Sequence, residues 1–251
     1  MRAYLRVFSL FALITSCVFS EEKGGYIGID VGSSYTEFTQ DVQPIGKILA
    51  SNNLPGFMLK AGYKTFFGES KKYGMRWYLY GGYSYGKMQD VKADAFRRFG
   101  QQQPQIDTNS IFIGTGKGYY THVVDYGVGT DFLRNFVVND DHSFGVFVGV
   151  GIGAETWIAN GKEYKPSGQE SLFNFQTIIN LGFRGVIKQS HGVEFGVKFH
   201  ILDAEIFKGS GPSPLLSKFN GMAAQLSQAP MTTTTTMRRL HSFYMSYVYN
   251  F

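Results

Sequence analysis

Eight stretches of this sequence alternate with a period of two, and most of their charged residues share a face with glycine. Most of the valines, isoleucines, leucines and aromatics occupy the opposite face. A period of two marks a strand, because successive side chains leave a sheet on opposite sides. In residues 143–157, Val146, Val148, Val150, Ile152 and Ala154 fall on one side, with Gly149, Gly151, Gly153 and Glu155 on the other. A soluble ligand-binding barrel would turn the apolar side inward. Here the other side carries Asp30, Asp131, Glu155 and Glu194 against Lys60, Lys64, Arg76, Arg184 and Lys198. Buried charge must be paired, and opposite signs can pair across a narrow interior. The apolar face is then left for lipid.

The other segments repeat the pattern. Residues 26–35 set Ile27, Ile29 and Val31 against Gly28, Asp30 and Gly32; residues 56–67 set Phe57, Leu59, Ala61 and Tyr63 against Lys60, Gly62 and Lys64. Residues 74–86, 121–137, 172–186 and 192–202 alternate likewise, and an eighth segment starts near Leu240. It carries Phe243, Met245, Tyr247, Tyr249 and Phe251 on one face, and Ser242, Tyr244, Ser246, Val248 and Asn250 on the other. A tilted strand crosses a bilayer in roughly 9–11 residues, which every segment supplies. Their number is even, and the links alternate in length. Those at 68–73, 138–142 and 187–191 are brief; those at about 36–55, 87–120, 158–171 and 203–239 are long. Short periplasmic turns and longer external loops are what an outer-membrane barrel requires.

The first residues read as an export signal. Arg2 and Arg6 precede a mostly apolar run at 7–18, and Val18-Phe19-Ser20 suits cleavage after Ser20. This run is too short to span a membrane as a helix. The expected division is a signal peptide at 1–20 and a barrel at 21–251. Ile14-Thr15-Ser16-Cys17 also fits the pattern after which bacterial lipoproteins are cut, which would leave a lipidated Cys17. Cleavage at Ser20 discards the one cysteine, and with it any disulfide or thiolate metal site. It also removes two of 24 basic residues against 19 acidic ones, so the balance falls from +5 to +3. That mild charge does not point to nucleic acid. The 31 glycines and 16% aromatics suit a barrel with a tight lumen and aromatic interfaces.

Several motifs then resemble those of one family. They are Tyr126-Gly-Val-Gly-Thr-Asp-Phe-Leu-Arg-Asn-Phe136, Phe173-Asn-Phe-Gln176 with Asn180-Leu-Gly-Phe-Arg184, and His191-Gly-Val-Glu-Phe-Gly-Val-Lys198. The ending, Arg238-Arg-Leu-His-Ser-Phe-Tyr-Met-Ser-Tyr-Val-Tyr-Asn-Phe251, belongs with them, as do Gly62-Tyr-Lys-Thr-Phe-Phe-Gly68 and the strand at 74–86. Together they resemble the Helicobacter outer membrane protein family. The resemblance implies an outer-membrane β-barrel of a host-associated bacterium. Some large members carry an external domain between the first two strands and act as adhesins; this chain has only 36–55 there, so no receptor-binding residue carries over. With the strand chemistry, the resemblance also implies that Phe251, Tyr249, Tyr247 and Phe243 form the signal read by the barrel-insertion machinery.

Other motifs have plainer readings. Gly149-Val-Gly-Ile-Gly-Ala154 satisfies a loose dinucleotide pattern, but that fingerprint needs a strand turning into a helix, and alternation runs on through Trp157. Gly114-Thr-Gly-Lys-Gly118 lacks the spacing of a phosphate loop. His122, His142, His191, His200 and His241 are scattered, without metal-ligand spacing. His241 with Ser242, and His200 with Glu194, make no hydrolase motif.

The sequence therefore predicts an all-β, eight-stranded antiparallel up-and-down transmembrane barrel in the bacterial outer membrane. Asp30, Lys60, Arg76, Asp131, Glu155, Arg184, Glu194 and Lys198 are expected to form a lumen polar network. No cofactor, metal or catalytic residue is expected. Expected partners are outer-membrane lipids and lipopolysaccharide, the insertion machinery and a ligand on a host surface, with no nucleic acid. The leading function is a non-enzymatic surface protein whose loops, including a short helix at 215–228, face outward, in the manner of an adhesin. The alternatives are a small pore and, behind it, a lipid A-modifying enzyme.

Overall fold

A computed structural model describes residues 23–43, 46–88, 91–94, 112–113, 119–139, 142–160, 169–170, 173–210 and 232–251. The expected signal peptide, the lipidation alternative at Cys17 and the expected helix at 215–228 lie outside these residues. Eight long strands form the ring: β1 (Gly24–Gln43), β2 (Gly46–Phe67), β3 (Tyr73–Met88), β6 (Tyr119–Val138), β7 (His142–Asn160), β9 (Asn174–Ile187), β10 (His191–His200) and β12 (Thr232–Asn250). Four short strands are added outside the ring: β4 (Val91–Asp94), β5 (Phe112–Ile113), β8 (Gln169–Glu170) and β11 (Ala204–Ser210).

Every pairing is antiparallel between neighbours, and β1 pairs with both β2 and β12. The seam runs from Tyr26↔Asn250 to Gln43↔Thr232. Closure leaves no unpaired edge in lipid, which is the condition for a sheet to cross a membrane. The faces divide as the alternation requires. Leu79, Phe173 and Phe243 are among the most exposed apolar residues, at 65%, 63% and 63%, whereas Asp131 is 0% exposed and Glu155 1%. Ala154 is the exception on the apolar face, buried between its cross-strand partners Tyr126 and Phe175.

Lumen glycines make room for lumen tyrosines. A Cβ on Gly129 would strike the ring of Tyr78, and one on Gly196 would strike Tyr244. Tyr26, Met58, Tyr78, Tyr80, Ile178 and Val248 pack there as one buried cluster. The interior is thus solid, as eight strands permit.

The ring strands are longer than the alternation marked. Residues 36–43 and 46–55, expected as a loop, continue β1 and β2, and β12 begins at Thr232, within the threonine run also expected as loop. β3 runs to Met88 and β6 starts at Tyr119, with β4 and β5 between them; β7 runs to Asn160. β10 instead stops at His200, short of the expected 202. Side chains beyond the bilayer need no apolar face, so pairing continues where the hydropathy signal ends. On that outer side β4 pairs with β2, and β11 pairs with β12.

Candidate functional site

The strand faces bring the inward charges together in the middle of the barrel. Lys198 Nζ donates to Asp30 Oδ2 at 2.8 Å, and Asp30 Oδ1 lies 3.0 Å from Lys60 Nζ. Lys60 also donates to Glu194 Oε2 at 2.9 Å. Glu194 Oε1 accepts from Arg76 Nη1, and Arg76 Nε donates to Asp131 Oδ2 at 2.7 Å. Three cations and three anions therefore alternate along one chain of contacts, all of them buried.

Neutral groups extend the chain. Tyr78 Oη and Asn180 Nδ2 donate to Asp131 Oδ1 at 3.2 and 3.3 Å, and Tyr244 Oη donates to Asn180 Oδ1 at 2.8 Å. These residues come from β1, β2, β3, β6, β9, β10 and β12. β7 supplies Phe147, whose ring centre lies 4.7 Å from the Arg76 guanidinium, while Lys198 Nζ sits 4.3 Å from the ring centre of Tyr244. An aromatic face attracts a cation most strongly where water is excluded. Charge, hydrogen bonding and ring contacts thus tie all eight ring strands across the interior.

Of the eight residues expected in one network, six join this chain. Arg184 lies beside it as the cross-strand partner of Glu194, on the same small cavity as Arg76; Glu155 stands elsewhere. Arg184 Nη1 donates to Asn135 Oδ1 at 3.0 Å. Glu155 anchors a second cluster nearer the outer mouth. There Glu155 Oε1 accepts from Arg239 Nη1 at 3.1 Å and lies 3.1 Å from His200 Nδ1. Asp125 Oδ2 is 3.4 Å from the same Arg239 nitrogen, and Trp157 Nε1 donates to Glu155 Oε2 at 3.2 Å. Arg239 Nη2 reaches Ser34 Oγ at 2.9 Å, and Ser242 Oγ donates to Ser34 Oγ at 2.7 Å. His200 thus faces Glu155, not the Glu194 considered from sequence.

Asp125, Arg239, Ser34 and Ser242 were not expected in a network. Asp125 had a signal, since it shares the parity of Gly127, Gly129 and Asp131. Arg239 had none. The register between β1 and β12 slips between Tyr35 and Thr36, opposite His241 and Arg239, which turns Arg239 inward against the parity of the membrane segment. Such a bulge re-aims a side chain.

Among the described residues two small cavities lie between these clusters. One of about 40 Å³ touches Asp30, Ser34, Asp125, Arg239 and Ser242; the other, of about 10 Å³, touches Tyr26, Arg76, Arg184 and Glu194. They offer space for a few waters at most. The residues expected as an insertion signal lie outside instead. Phe243, Tyr247 and Phe251 are exposed on the lipid face, Tyr249 makes an edge contact with Phe251, and Phe251 N donates to Gly25 O at 3.0 Å. His122 and His191 also lie on that outer face, bonded to Tyr83 and Tyr247 at 2.6 and 2.7 Å.

No curated protein matches this chain by sequence. Among solved structures it is similar to the outer membrane protein OprG from Pseudomonas aeruginosa, at 13% identity and a TM-score of 0.48, covering 92% of this chain and 97% of that one. It is also similar to Ail, the attachment invasion locus protein of Yersinia pestis (14%, TM-score 0.28, 90% and 99% covered), and to the outer membrane protease OmpT from Escherichia coli (8%, 0.37, 94% and 99%). At these scores the three bear on neither fold nor function. The description that does bear is that of the Helicobacter outer membrane protein family, which matches residues 58–251, well over half of the chain. With its closed eight-stranded ring, greasy outside and charged within, the chain belongs to the Helicobacter outer membrane protein family and resides in the bacterial outer membrane.

Proposed function

We propose that this is a non-enzymatic, plugged barrel whose outer wall and loops contact a ligand on a host or in the environment. The observation carrying this reading is the charge chain from Lys198 to Asp131, which crosses the lumen where a pore would need water. A filled interior directs function to the outer surface, where β1, β2 and β12 continue to about twice the length a bilayer crossing needs. The test removes residues 95–111 and 211–231, which leaves the ring strands whole. Binding of the cells to host surfaces is expected to fall while the folded barrel keeps its heat-modifiable gel mobility. Unchanged binding with both segments gone would end the contact reading.

An enzymatic reading has one geometric motive. Ser242, His200 and Glu155 stand in the order nucleophile, base, carboxylate, with His200 Nε2 3.1 Å from Ser242 Oγ. Against it, Ser242 gives its hydrogen to Ser34. The adjoining cavity of about 40 Å³ has no room for an ester and its acyl chain. Incubation with lipopolysaccharide is expected to leave the mass of lipid A unchanged. A mass loss abolished by Ser242→Ala would replace this proposal with a hydrolase.

A further inference from the structure

Among the described residues one charged side chain breaks the pattern on the lipid face. Arg134 lies on β6, four residues before that strand ends at Val138 and so near the short-turn, periplasmic side. It is exposed and belongs to the outward set with Phe132 and Phe136. A cation facing lipid costs a barrel stability unless it sits near an interface or meets an anion.

The surroundings of Arg134 are built to hold it. Its guanidinium carbon lies 5.9 Å from the ring centre of Tyr73 and 5.6 Å from that of Phe136. Tyr73 is its cross-strand partner on β3. Phe136 is the extra residue of a β-bulge, since the register of β6 against β7 slips between Asn135 and Val137. The bulge leaves both Phe136 and Val137 on the outer surface, at 54% and 47% exposure. Asn135 fixes the neighbouring turn: its backbone N donates to Lys72 O at 2.8 Å and its Nδ2 to Lys71 O at 3.0 Å. That docking brings Lys72, also exposed, to the same rim. The two rings hold the guanidinium without using any of its five N–H donors. Among the described residues no carboxylate pairs with Arg134.

A guanidinium with free donors, gripped by rings at a bilayer interface, matches a lipid phosphate. We propose that Arg134, set between Tyr73 and Phe136, binds the phosphate of an anionic phospholipid in the periplasm-facing leaflet. The acyl chains of that lipid lie along Phe132, Phe144 and Phe183, which are exposed on the same face. This inference concerns the lipid boundary and stands whether or not the outer loops bind a ligand.

The experiment uses the full folded barrel in detergent, equilibrated with phosphatidylglycerol and weighed by native mass spectrometry. Arg134→Gln is expected to retain about fivefold less phosphatidylglycerol than the wild type. Phe136→Leu keeps the charge but loses one ring, and is expected to lower retention about twofold. Diacylglycerol, which lacks the phosphate, is expected not to be retained by the wild type. Arg238→Gln, a change at an exposed pair with Asp203 beyond the outer mouth, is expected to match the wild type. Equal retention by Arg134→Gln, or displacement of the lipid by inorganic phosphate alone, overturns the proposal. Should Arg134→Gln give no folded barrel, retention by Phe136→Leu equal to wild type overturns it instead.

Discussion

Glu194 is the residue on which the lumen depends most, because Lys60 and Arg76 share its two oxygens. Removing it leaves Lys60 to Asp30 and Arg76 to Asp131, with three cations against two anions, and an uncompensated buried charge costs about 3–5 kcal/mol. Glu194→Leu is therefore expected to destabilise the barrel by that order, read as a lower urea midpoint after refolding into lipid vesicles. Adding Lys60→Met should recover part of the loss, because two cations then face two anions. A neutral Glu194→Leu would show the chain of ion pairs to be ornamental. At this scale the sequence showed which side chains face inward, since parity alone decides that. It did not show which of them meet. Asp30 touches Lys198 across the β1–β12–β10 seam, and that contact needs the register, which no spacing along the chain specifies. Arg239 was hidden for a further reason, because one extra residue in β12 reverses the parity on which the reading relied.

The elements were legible wherever lipid imposed its own alternation, and illegible beyond it. Segments such as 56–67 and 143–157 declare themselves because every second residue must be apolar. Above the bilayer the constraint is only that backbone groups be paired, which threonines satisfy as well as valines. Hence Thr232–Asn250 forms a single strand although its first five residues look like a low-complexity loop. The turns carry a different cost. In the β9–β10 turn Lys188 and Gln189 both have positive φ, 49° and 64°, where a side chain clashes with its own backbone. Gln189→Gly removes that strain at a position where glycine is at home. It is expected to stabilise the barrel by up to about 1 kcal/mol, seen as a higher urea midpoint. A lower midpoint would mean that the Gln189 side chain makes a contact worth more than the strain.

The whole molecule is a closed ring whose first and last ring strands seal each other over eighteen paired positions. Its interior is occupied at every level described, by tyrosines against glycines and by charges against charges. Planar-bilayer recordings of the folded protein are accordingly expected to show no stable conductance. A reproducible channel from the monomer would return the pore reading to first place. Sequence patterning implied this architecture because faces, segment number and link lengths all agreed; the outward rise of the wall needed coordinates. The buried charges have one more consequence. Among the described residues six basic ones (Lys60, Lys64, Arg76, Arg184, Lys198 and Arg239) stand against five acidic ones (Asp30, Asp125, Asp131, Glu155 and Glu194). An electrical potential does about 2.3 kcal/mol of work per unit charge per 100 mV, but only on charge that is both unbalanced and free to travel. A Donnan voltage across the outer membrane finds almost no net charge to pull in this lumen, so the protein should be electrically deaf.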